Sequence, residues 1–351
     1  MTRTRFASPR FMLPPGRDAT EPPEQRGLAR DQVRLLVARS TGTEHLRFSE
    51  LPEQLQPGDL VVVNTSATLP AALDVTLPGG RPSVVHVAGP DEAGSPIVEL
   101  RRADGAGPDR AARRGLCVAL PGGVELELGD PYPSLAGLDG PSRLWRAVAS
   151  PAISWQAYLQ MHGRPVVYSY LTHPRPLSDY QTVYATQPGS AEMASAGRPF
   201  TAPLLVRLIA RGVPVAPIVL HAGLSSPELH EPPTPERYQV PEVTARLATG
   251  TRAAGGRVIA VGTTVVRALE SATSPDGITR AARGWTDLVL GPDRPARAVS
   301  GVISGLHAPE ASHLQLLDAV VGPELVDAAY RAAVAEGYLW HEFGDSTLLL
   351  P

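Results

Sequence analysis

The residues best suited to chemistry in this sequence follow short apolar runs. Gly262, Thr263 and Thr264 come directly after the run Val258 to Val261 and begin a helical pattern that contains Arg267. Glycine lets a ligand approach the backbone, threonine hydroxyls cap helices, and the N–H groups of a first helical turn favour an anionic or polar ligand. An ordinary capped connection between a strand and a helix has the same local pattern, so both interpretations stay open.

Polar or aromatic residues end several other predicted elements, at Asn64-Thr65, Tyr184, His221-Ala222-Gly223 and His307. In parallel α/β sheets, ligands bind beyond the carboxyl ends of the strands, so we expect these residues to meet in one cleft. Tyr184, His221 and His307 have side chains that transfer protons or orient a substrate. The alternative is that the histidines are satisfied interior residues and the tyrosine lies at the rim of a core.

Alternating strands and helices must position these residues, and they predict an α/β fold. Between residues 73 and 149 the pattern changes to short β-type runs separated by Gly, Pro and Asp turns, which predicts an inserted small antiparallel β-barrel domain. The discontinuous α/β catalytic domain then comprises residues 28–72 and 150–351. Residues 1–27 are rich in Pro, Arg and Glu, so we expect a flexible N-terminal arm. Two further local assignments are a strand at Thr286 to Leu290 and a loop at 226–239.

Composition favours a soluble globular protein. The 351 residues are 43% hydrophobic and 19% charged, which is enough apolar surface for two cores and argues against disorder. The formal net charge of -3 gives no overall basic character of the kind that drives non-specific nucleic-acid binding. No signal peptide or run of eighteen apolar residues is found, so we expect a cytoplasmic protein without a membrane partner. The single cysteine, Cys117, is expected to be a buried structural thiol.

Longer motifs occur in a fixed order along the chain. They are RDQVRLLV at 30–37, QPGDLVVVNTS at 56–66, DYQTVYA at 179–185, GS at 189–190, AGRPFT at 196–201, HAG at 221–223, AVGTTVVRALES at 260–271, GWTD at 284–287, HAPE at 307–310 and FGDS at 343–346. In this order they resemble the S-adenosylmethionine:tRNA ribosyltransferase-isomerases of queuosine synthesis. The resemblance covers nearly the whole chain and is weakest in the predicted barrel.

The resemblance implies a two-domain enzyme in which an α/β domain carries a β-barrel. Family members transfer and isomerise the ribosyl group of S-adenosylmethionine onto the aminomethyl group of a 7-deazaguanine base in tRNA, which releases adenine and methionine. S-adenosylmethionine is then a co-substrate, and no metal is expected because the sulfonium already activates the neighbouring carbon. The protein would supply orientation, base catalysis and charge stabilisation.

The residues carried into this scheme fall into two groups. The candidates for binding S-adenosylmethionine are Gln181, Ser190, Gly223, Gly262, Thr263, Thr264 and Arg267. The catalytic candidates are Tyr184, His221 and His307.

Several positions depart from the family pattern. The run that usually reads Pro-Ala-Arg-Leu is Pro70-Ala71-Ala72-Leu73 here, and the segment Gly189 to Thr201 lacks a motif histidine and has gained Glu192. A motif asparagine is replaced by Gly305, and a lysine by Glu310. These changes alter the electrostatics where an anionic RNA or a sulfonium would be handled.

Three functions therefore stay open. The first is the tRNA reaction, which gives epoxyqueuosine; the departures and the net charge of -3 weaken the expectation of a tRNA partner. The second is an S-adenosylmethionine-dependent enzyme of the same fold that acts on a small molecule, and the third is a non-catalytic ligand-binding relative. Glu192 either meets the sulfonium or is a solvated loop charge. The pattern assigns no oligomeric state.

Overall fold

The computed structural model describes residues 11–105, 107–133, 143–168, 170–224, 234–291, 293–309 and 311–351. They form a nine-stranded sheet, a closed six-stranded barrel and a two-stranded sheet. The predicted α/β class with a small antiparallel barrel is confirmed. The strands are β1 (Arg34–Arg39), β2 (Gly42–Arg47), β3 (Leu60–Asn64), β4 (Ser66–Thr68), β5 (Ala72–Leu77), β6 (Arg81–Pro90), β7 (Pro96–Arg102), β8 (Cys117–Leu120), β9 (Val124–Tyr132), β10 (Leu144–Ser150), β11 (Gln187–Ser190), β12 (Val215–Leu220), β13 (Glu236–Val240), β14 (Val258–Val261), β15 (Ala282–Thr286), β16 (Gly301–Gly305) and β17 (Ser346–Leu349). The α-helices are α1 (Leu51–Gln54), α2 (Trp155–His162), α3 (Ala202–Ala210), α4 (Glu242–Ala253), α5 (Thr263–Ser271), α6 (His313–Val321) and α7 (Pro323–Ala335).

The large sheet has the strand order β15-β13-β12-β3-β14-β16-β17-β1-β2. Its four middle strands, β12, β3, β14 and β16, are mutually parallel. Continuous apolar runs such as Leu60–Val63 suit these strands because both faces of a parallel sheet are covered. Side chains of α4 to α7 pack on one face and those of α3 on the other. The carboxyl ends of the four strands therefore lie along one edge of a rigid layer.

The barrel closes in the order β10-β7-β6-β5-β8-β9. Burial alternates along β8 and β9, as it must when one side of each strand fills a small barrel and the other faces solvent. Cys117 is the first residue of β8 and occupies an outward position, so its thiol is exposed. The expectation of a buried thiol was wrong because the alternation, and not the apolar character of the run, decides which side chains point inward.

The N-terminal segment contacts the α/β domain from Phe11 onward. The Phe11 ring lies 5.1 Å from that of Tyr330. The backbone N–H of Ala19 donates to the carbonyl of Trp340 at 3.2 Å, and Ala19 is only 2% exposed. Residues 1–10 lie outside the described residues. For the described part of 1–27 the expectation of a flexible arm is corrected, because these contacts bury apolar side chains and satisfy backbone groups.

Two predicted elements between 226 and 290 also need correction. The expected loop contains strand β13, which pairs with β12 and β15, while residues 225–233 lie outside the described part of the chain. The expected strand Thr286 to Leu290 is not observed: strand β15 ends at Thr286, the residue at which that strand was predicted to begin. Thr286 still pairs with Glu236 of β13, and beyond it the chain leaves the sheet. The carbonyls of Thr286 and Leu288 accept hydrogen bonds from the Arg267 guanidinium at 3.0 and 3.2 Å.

Candidate active site

A hydrogen-bonded network joins the carboxyl ends of three neighbouring strands. Its centre is Asn64, the last residue of β3, whose side-chain amide donates to the carbonyl of Leu220 at 2.8 Å and to the Thr264 hydroxyl at 3.3 Å. The Asn64 amide oxygen accepts from the backbone N–H groups of Leu220 and Ser66, both at 3.0 Å. One buried amide thereby fixes the relative positions of the ends of β12 and β3 and the start of α5.

A chain of hydroxyl groups leads from this centre to His221. The Ser66 and Ser190 hydroxyl oxygens are 2.6 Å apart, and Ser66 Oγ lies 2.8 Å from His221 Nδ1. Ser190 Oγ also accepts from the backbone N–H of Ala222 at 3.0 Å. Both serines are buried, with 3% and 1% of their surface exposed. Ser190 and His221, predicted as site residues from separate motifs, are therefore brought together.

Two proton arrangements satisfy the contacts of this chain. In the first, Ser190 donates to Ser66 and Ser66 donates to His221 Nδ1, which leaves the imidazole proton on Nε2. In the second, His221 Nδ1 donates to Ser66 and Ser66 donates to Ser190. Burial, assisted by the charge of Arg237, lowers the pKa of His221 to about 4. His221 is thus neutral near neutral pH, and it donates through Nε2 when the serine hydroxyls donate toward it.

The glycine of the Gly-Ser motif allows His221 to reach the serines. A Cβ atom at Gly189 would lie 2.3 Å from His221 Nδ1, and one at Gly197 would lie 2.3 Å from the Tyr184 hydroxyl. Contacts this short cannot exist between a side chain and these rings. Glycine at both positions therefore reflects close approach of a functional or packed side chain and not a turn.

A cavity of about 220 Å³ lies between the barrel and this part of the α/β domain. Its barrel side is apolar and includes Val87, Ile97 and Leu144 of the barrel and Trp155 of α2. Its α/β side is polar and is lined by Gly189, His221, Gly223, Glu236, Arg237 and Trp285. An apolar pocket with a few converging polar groups is the usual form of a small-molecule site.

Arg267 contributes to this wall through another side chain. It forms a buried ion pair with Glu236, and Glu236 accepts a hydrogen bond from the backbone N–H of Gly223 at 3.0 Å. Burial raises the pKa of Glu236, and the Arg267 charge opposes that rise. The guanidinium also donates to two carbonyls, so it holds β15 and Glu236 in place. Its observed contacts are those of a positioning residue for Gly223.

Helix α5 begins at Thr263 after Gly262, which has the positive φ of 87°. Neither threonine hydroxyl caps this helix, because no side chain accepts a hydrogen bond at its N-cap; the Thr264 hydroxyl is instead contacted by Asn64. The capping expected from the sequence is therefore corrected. The first-turn N–H groups remain oriented toward the edge of the sheet, as in sites that bind anionic groups.

Tyr184 and Gln181 are used by the protein itself. The Tyr184 ring packs edge-on against Phe200 at 5.9 Å, its hydroxyl lies 3.5 Å from the Gly197 carbonyl, and burial raises its pKa far above the ordinary value. The Gln181 amide pairs with both backbone groups of Thr68 at 3.0 and 2.8 Å. Neither residue lines the cavity described above. Their proposed roles in chemistry stay predictions.

His307 lies in a separate cluster at the end of β16. Its Nε2 is 2.9 Å from the Ser304 hydroxyl, and its ring stacks on that of His313 with centroids 4.5 Å apart. Burial, together with His313, lowers its pKa well below the usual range. β16 and β12 are three strand spacings apart, which is roughly 14 Å at about 4.8 Å per strand. His307 and His221 are thus at two ends of the same sheet edge.

The described positions that depart from the family pattern are buried or half-buried. Ala72 is fully buried in β5, and Pro199 is buried at the place of the missing histidine. Gly305 is the last residue of β16. Glu192 is half-buried near Tyr168, whose pKa is raised by burial and then by the Glu192 carboxylate. Glu310 lies outside the described residues.

Sequence reasoning missed three residues of the wall. Ser66 closes the motif QPGDLVVVNTS but was not identified as a partner of His221, from which it is 155 residues distant along the chain. Glu236 and Arg237 fell inside the presumed loop. The alternation of Tyr238 and Val240 as buried residues was the signal that could have identified this strand.

Within the described residues, none of the helices has the length and hydrophobicity of a membrane span. Among the same residues, no three His, Cys, Asp or Glu side chains are grouped as metal ligands would be.

A parallel sheet edge with a polar network, facing an inserted barrel across a cavity, defines a two-domain α/β protein with the form of an enzyme. The profile described as "Queuosine biosynthesis protein" matches residues 7–349, and the chain belongs to this family. It is 34% identical over 354 residues to the S-adenosylmethionine:tRNA ribosyltransferase-isomerase of Moorella thermoacetica, covering 97% of this chain and 98% of the relative. The corresponding protein of Gloeobacter violaceus is 35% identical over 365 residues, with 97% and 94% covered.

A solved structure is also similar. The crystal structure of the S-adenosylmethionine tRNA ribosyltransferase from Thermotoga maritima is 29% identical to this chain and superimposes with a TM-score of 0.52. The match covers 97% of this chain and 99% of that one. Both the barrel and the α/β domain thus fall within the range of the similarity.

Proposed function

We propose that this protein is an S-adenosylmethionine:tRNA ribosyltransferase-isomerase. It transfers and isomerises the ribosyl moiety of S-adenosylmethionine onto a 7-aminomethyl-7-deazaguanine base in tRNA, giving epoxyqueuosine, adenine and methionine. The observation that carries this proposal is the match of whole chains to relatives of that name. The same proposal assigns the protein to the cytoplasm and divides it into residues 28–72 and 150–351 around the barrel at 73–149.

In this proposal the polar network lies beside the reacting ribosyl group. His221, neutral and donating through Nε2, stabilises negative charge that develops on the leaving or attacking group. Ser66 and Ser190 hold its tautomer, as second partners of catalytic histidines do. The sulfonium supplies the activation of the neighbouring carbon, so the chemistry needs no metal.

The two ends of S-adenosylmethionine would use different parts of the site. The first-turn N–H groups of Thr263 and Thr264 suit its carboxylate, which a helix N-terminus favours. The apolar side of the cavity suits an aromatic base, because Trp155 and apolar barrel residues line it. Thr264 is linked to His221, which lines the cavity, through Asn64 and Ser66.

Release of adenine tests the proposal. We expect purified protein, incubated with S-adenosylmethionine and tRNA that carries the deazaguanine base, to release adenine in proportion to the modified base formed. His221→Gln should reduce the rate by about 100-fold or more, a range typical for a positioned acid or base. His173→Gln, a change of the same kind at an exposed loop residue, should leave the rate unchanged. If no adenine is released with any acceptor, the result favours the non-catalytic alternative.

A second candidate replaces tRNA by a small acceptor. Its support is the full burial of Ala72, which stands where the family pattern has an arginine, and the net charge of -3. A small molecule that carries the aminomethyl-deazaguanine group would then support adenine release while the matching tRNA would not. Adenine release with the tRNA but not with the small acceptor would exclude this candidate.

A further inference from the structure

Among the described residues, no helix packs on the outward side of β13 and β15, the two strands at one edge of the large sheet, and this side adjoins the cavity. Arg237 and Gln239 of β13, Arg283 of β15 and Pro217 of β12 are exposed on this face. Alternate residues of the same strands, such as Tyr238 and Val240, belong to the core on the other side. Helix α3 covers the neighbouring part of this face, over β3 and β14.

The strand register arranges the side chains of this face in rows. Arg237 pairs with Trp285, and Gln239 pairs with Arg283. Toward the centre of the sheet, the next strand is β12. The backbone N–H of His221, which follows β12, donates to the carbonyl of Arg237 at 3.0 Å and so continues the pairing of β12 with β13. Directly opposed side chains are about 5 Å apart. One row, His221–Arg237–Trp285, therefore runs roughly 10 Å from the catalytic network to the edge strand, and all three residues line the cavity.

The charge of this face is local and positive. Every residue of β13 and β15 is described, and among these ten the outward positions carry two arginines, a glutamine and a tryptophan but no carboxylate. The acidic residue of these strands, Glu236, is paired with Arg267. The outward side chains of β13 and β15 thus add positive charge and an aromatic ring beside the cavity of a chain whose net charge is -3, and the exposed Asp287 follows β15.

We propose that this open face, made of Arg237, Gln239, Arg283 and Trp285, is the surface that binds the single-stranded segment of tRNA around the reacting base. The inference rests on the proposed function. An enzyme that modifies a base must receive it unstacked, so the flanking nucleotides are single-stranded as well. Arginines bind their phosphates without sequence preference, and a tryptophan stacks on a base. The row that ends at His221 then leads the reacting base into the cavity.

The test measures tRNA affinity as a function of salt, by fluorescence anisotropy of end-labelled tRNA with the full chain. Loss of two phosphate contacts in the Arg237→Ala, Arg283→Ala double variant should lower the slope of log affinity against log salt by roughly 1.4, at about 0.7 per contact with a single strand. Trp285→Ala should weaken binding roughly 5- to 150-fold, whereas Trp285→Phe should retain most of it.

Arg331→Ala is the matched control. Arg331 is exposed on α7, which contacts β1 and β2 at the opposite edge of the sheet. Its replacement removes the same charge, so it should leave the slope within error of the unaltered protein.

Three results are informative. A reduced slope for the double variant alone supports the proposal. Equal slopes for the double variant and Arg331→Ala, with tight tRNA binding in both, overturn this surface but leave the proposed function standing. Absence of tRNA binding by the unaltered protein, together with adenine release on a small acceptor, overturns both this surface and the tRNA reaction.

Discussion

Replacing Gly189 by Ala should displace His221 without altering any polar group. The new Cβ would lie 2.3 Å from His221 Nδ1 and 2.5 Å from Cε1, whereas ordinary contact begins near 3.4 Å. The ring must therefore move by about 1 Å, which breaks the 2.8 Å hydrogen bond from Ser66. Misplacement of about 1 Å in a catalytic group costs roughly 100-fold in rate, or about 2.7 kcal/mol of transition-state stabilisation.

The loss of one hydrogen bond should cost less in stability than in rate. We expect the free energy of unfolding to fall by about 0.5 to 1.5 kcal/mol. Single-turnover release of adenine measures the rate, and urea unfolding measures the stability. Gly291→Ala is the control, since a Cβ there meets nothing within 4 Å. A Gly189→Ala protein that releases adenine at the unaltered rate would refute the role given to the Ser66–His221 contact.

Three further predictions concern charge, pH and helix propensity. Arg267→Met leaves the buried Glu236 carboxylate without its cation, so urea unfolding should show a loss of about 3 to 5 kcal/mol; Arg246→Ala, in an exposed pair, should change stability by less than about 0.5 kcal/mol, and equal effects would contradict this. Because the pKa of His221 is about 4 when folded and near 6.5 when unfolded, its contribution is complete above pH 6.5 and is lost as the pH falls toward 4. His221→Gln should therefore show a smaller drop in unfolding midpoint between pH 7 and about 4.5, and an unchanged drop would refute the pKa. Gly250→Ala, inside α4 with open space around it, should raise stability by about 0.5 to 1 kcal/mol in thermal unfolding, and a decrease would show an unseen contact.

The strands were predictable where burial is nearly complete. Leu60 to Val63 and Val258 to Val261 are continuous apolar runs, and both became middle strands of the parallel sheet. β13 was not recognised because three of its five residues, Glu236, Arg237 and Gln239, are polar. Their polarity reflects an open face and a buried ion pair, and a single sequence does not distinguish either from a loop.

The site was predictable only as a set of strand ends. Their convergence follows from the parallel sheet, and it did bring His221, Ser190 and Thr264 into one network. Which side chains are used internally does not follow from local pattern. Tyr184 belongs to a long motif yet packs in the core, and Arg267 contacts a carboxylate 31 residues away. Such pairings depend on the complete fold.

The position of β17 sets the order in which the protein can be assembled during synthesis. β17 follows the other eight strands of the large sheet along the chain, yet it lies between β16 and β1. The hairpin β1–β2 is made first and has no link to the rest of the sheet until Ser346 to Leu349 emerge. The six barrel strands, in contrast, are consecutive from Ala72 to Ser150. We therefore expect the barrel to fold on the ribosome, while the catalytic half waits for the last strand of its sheet.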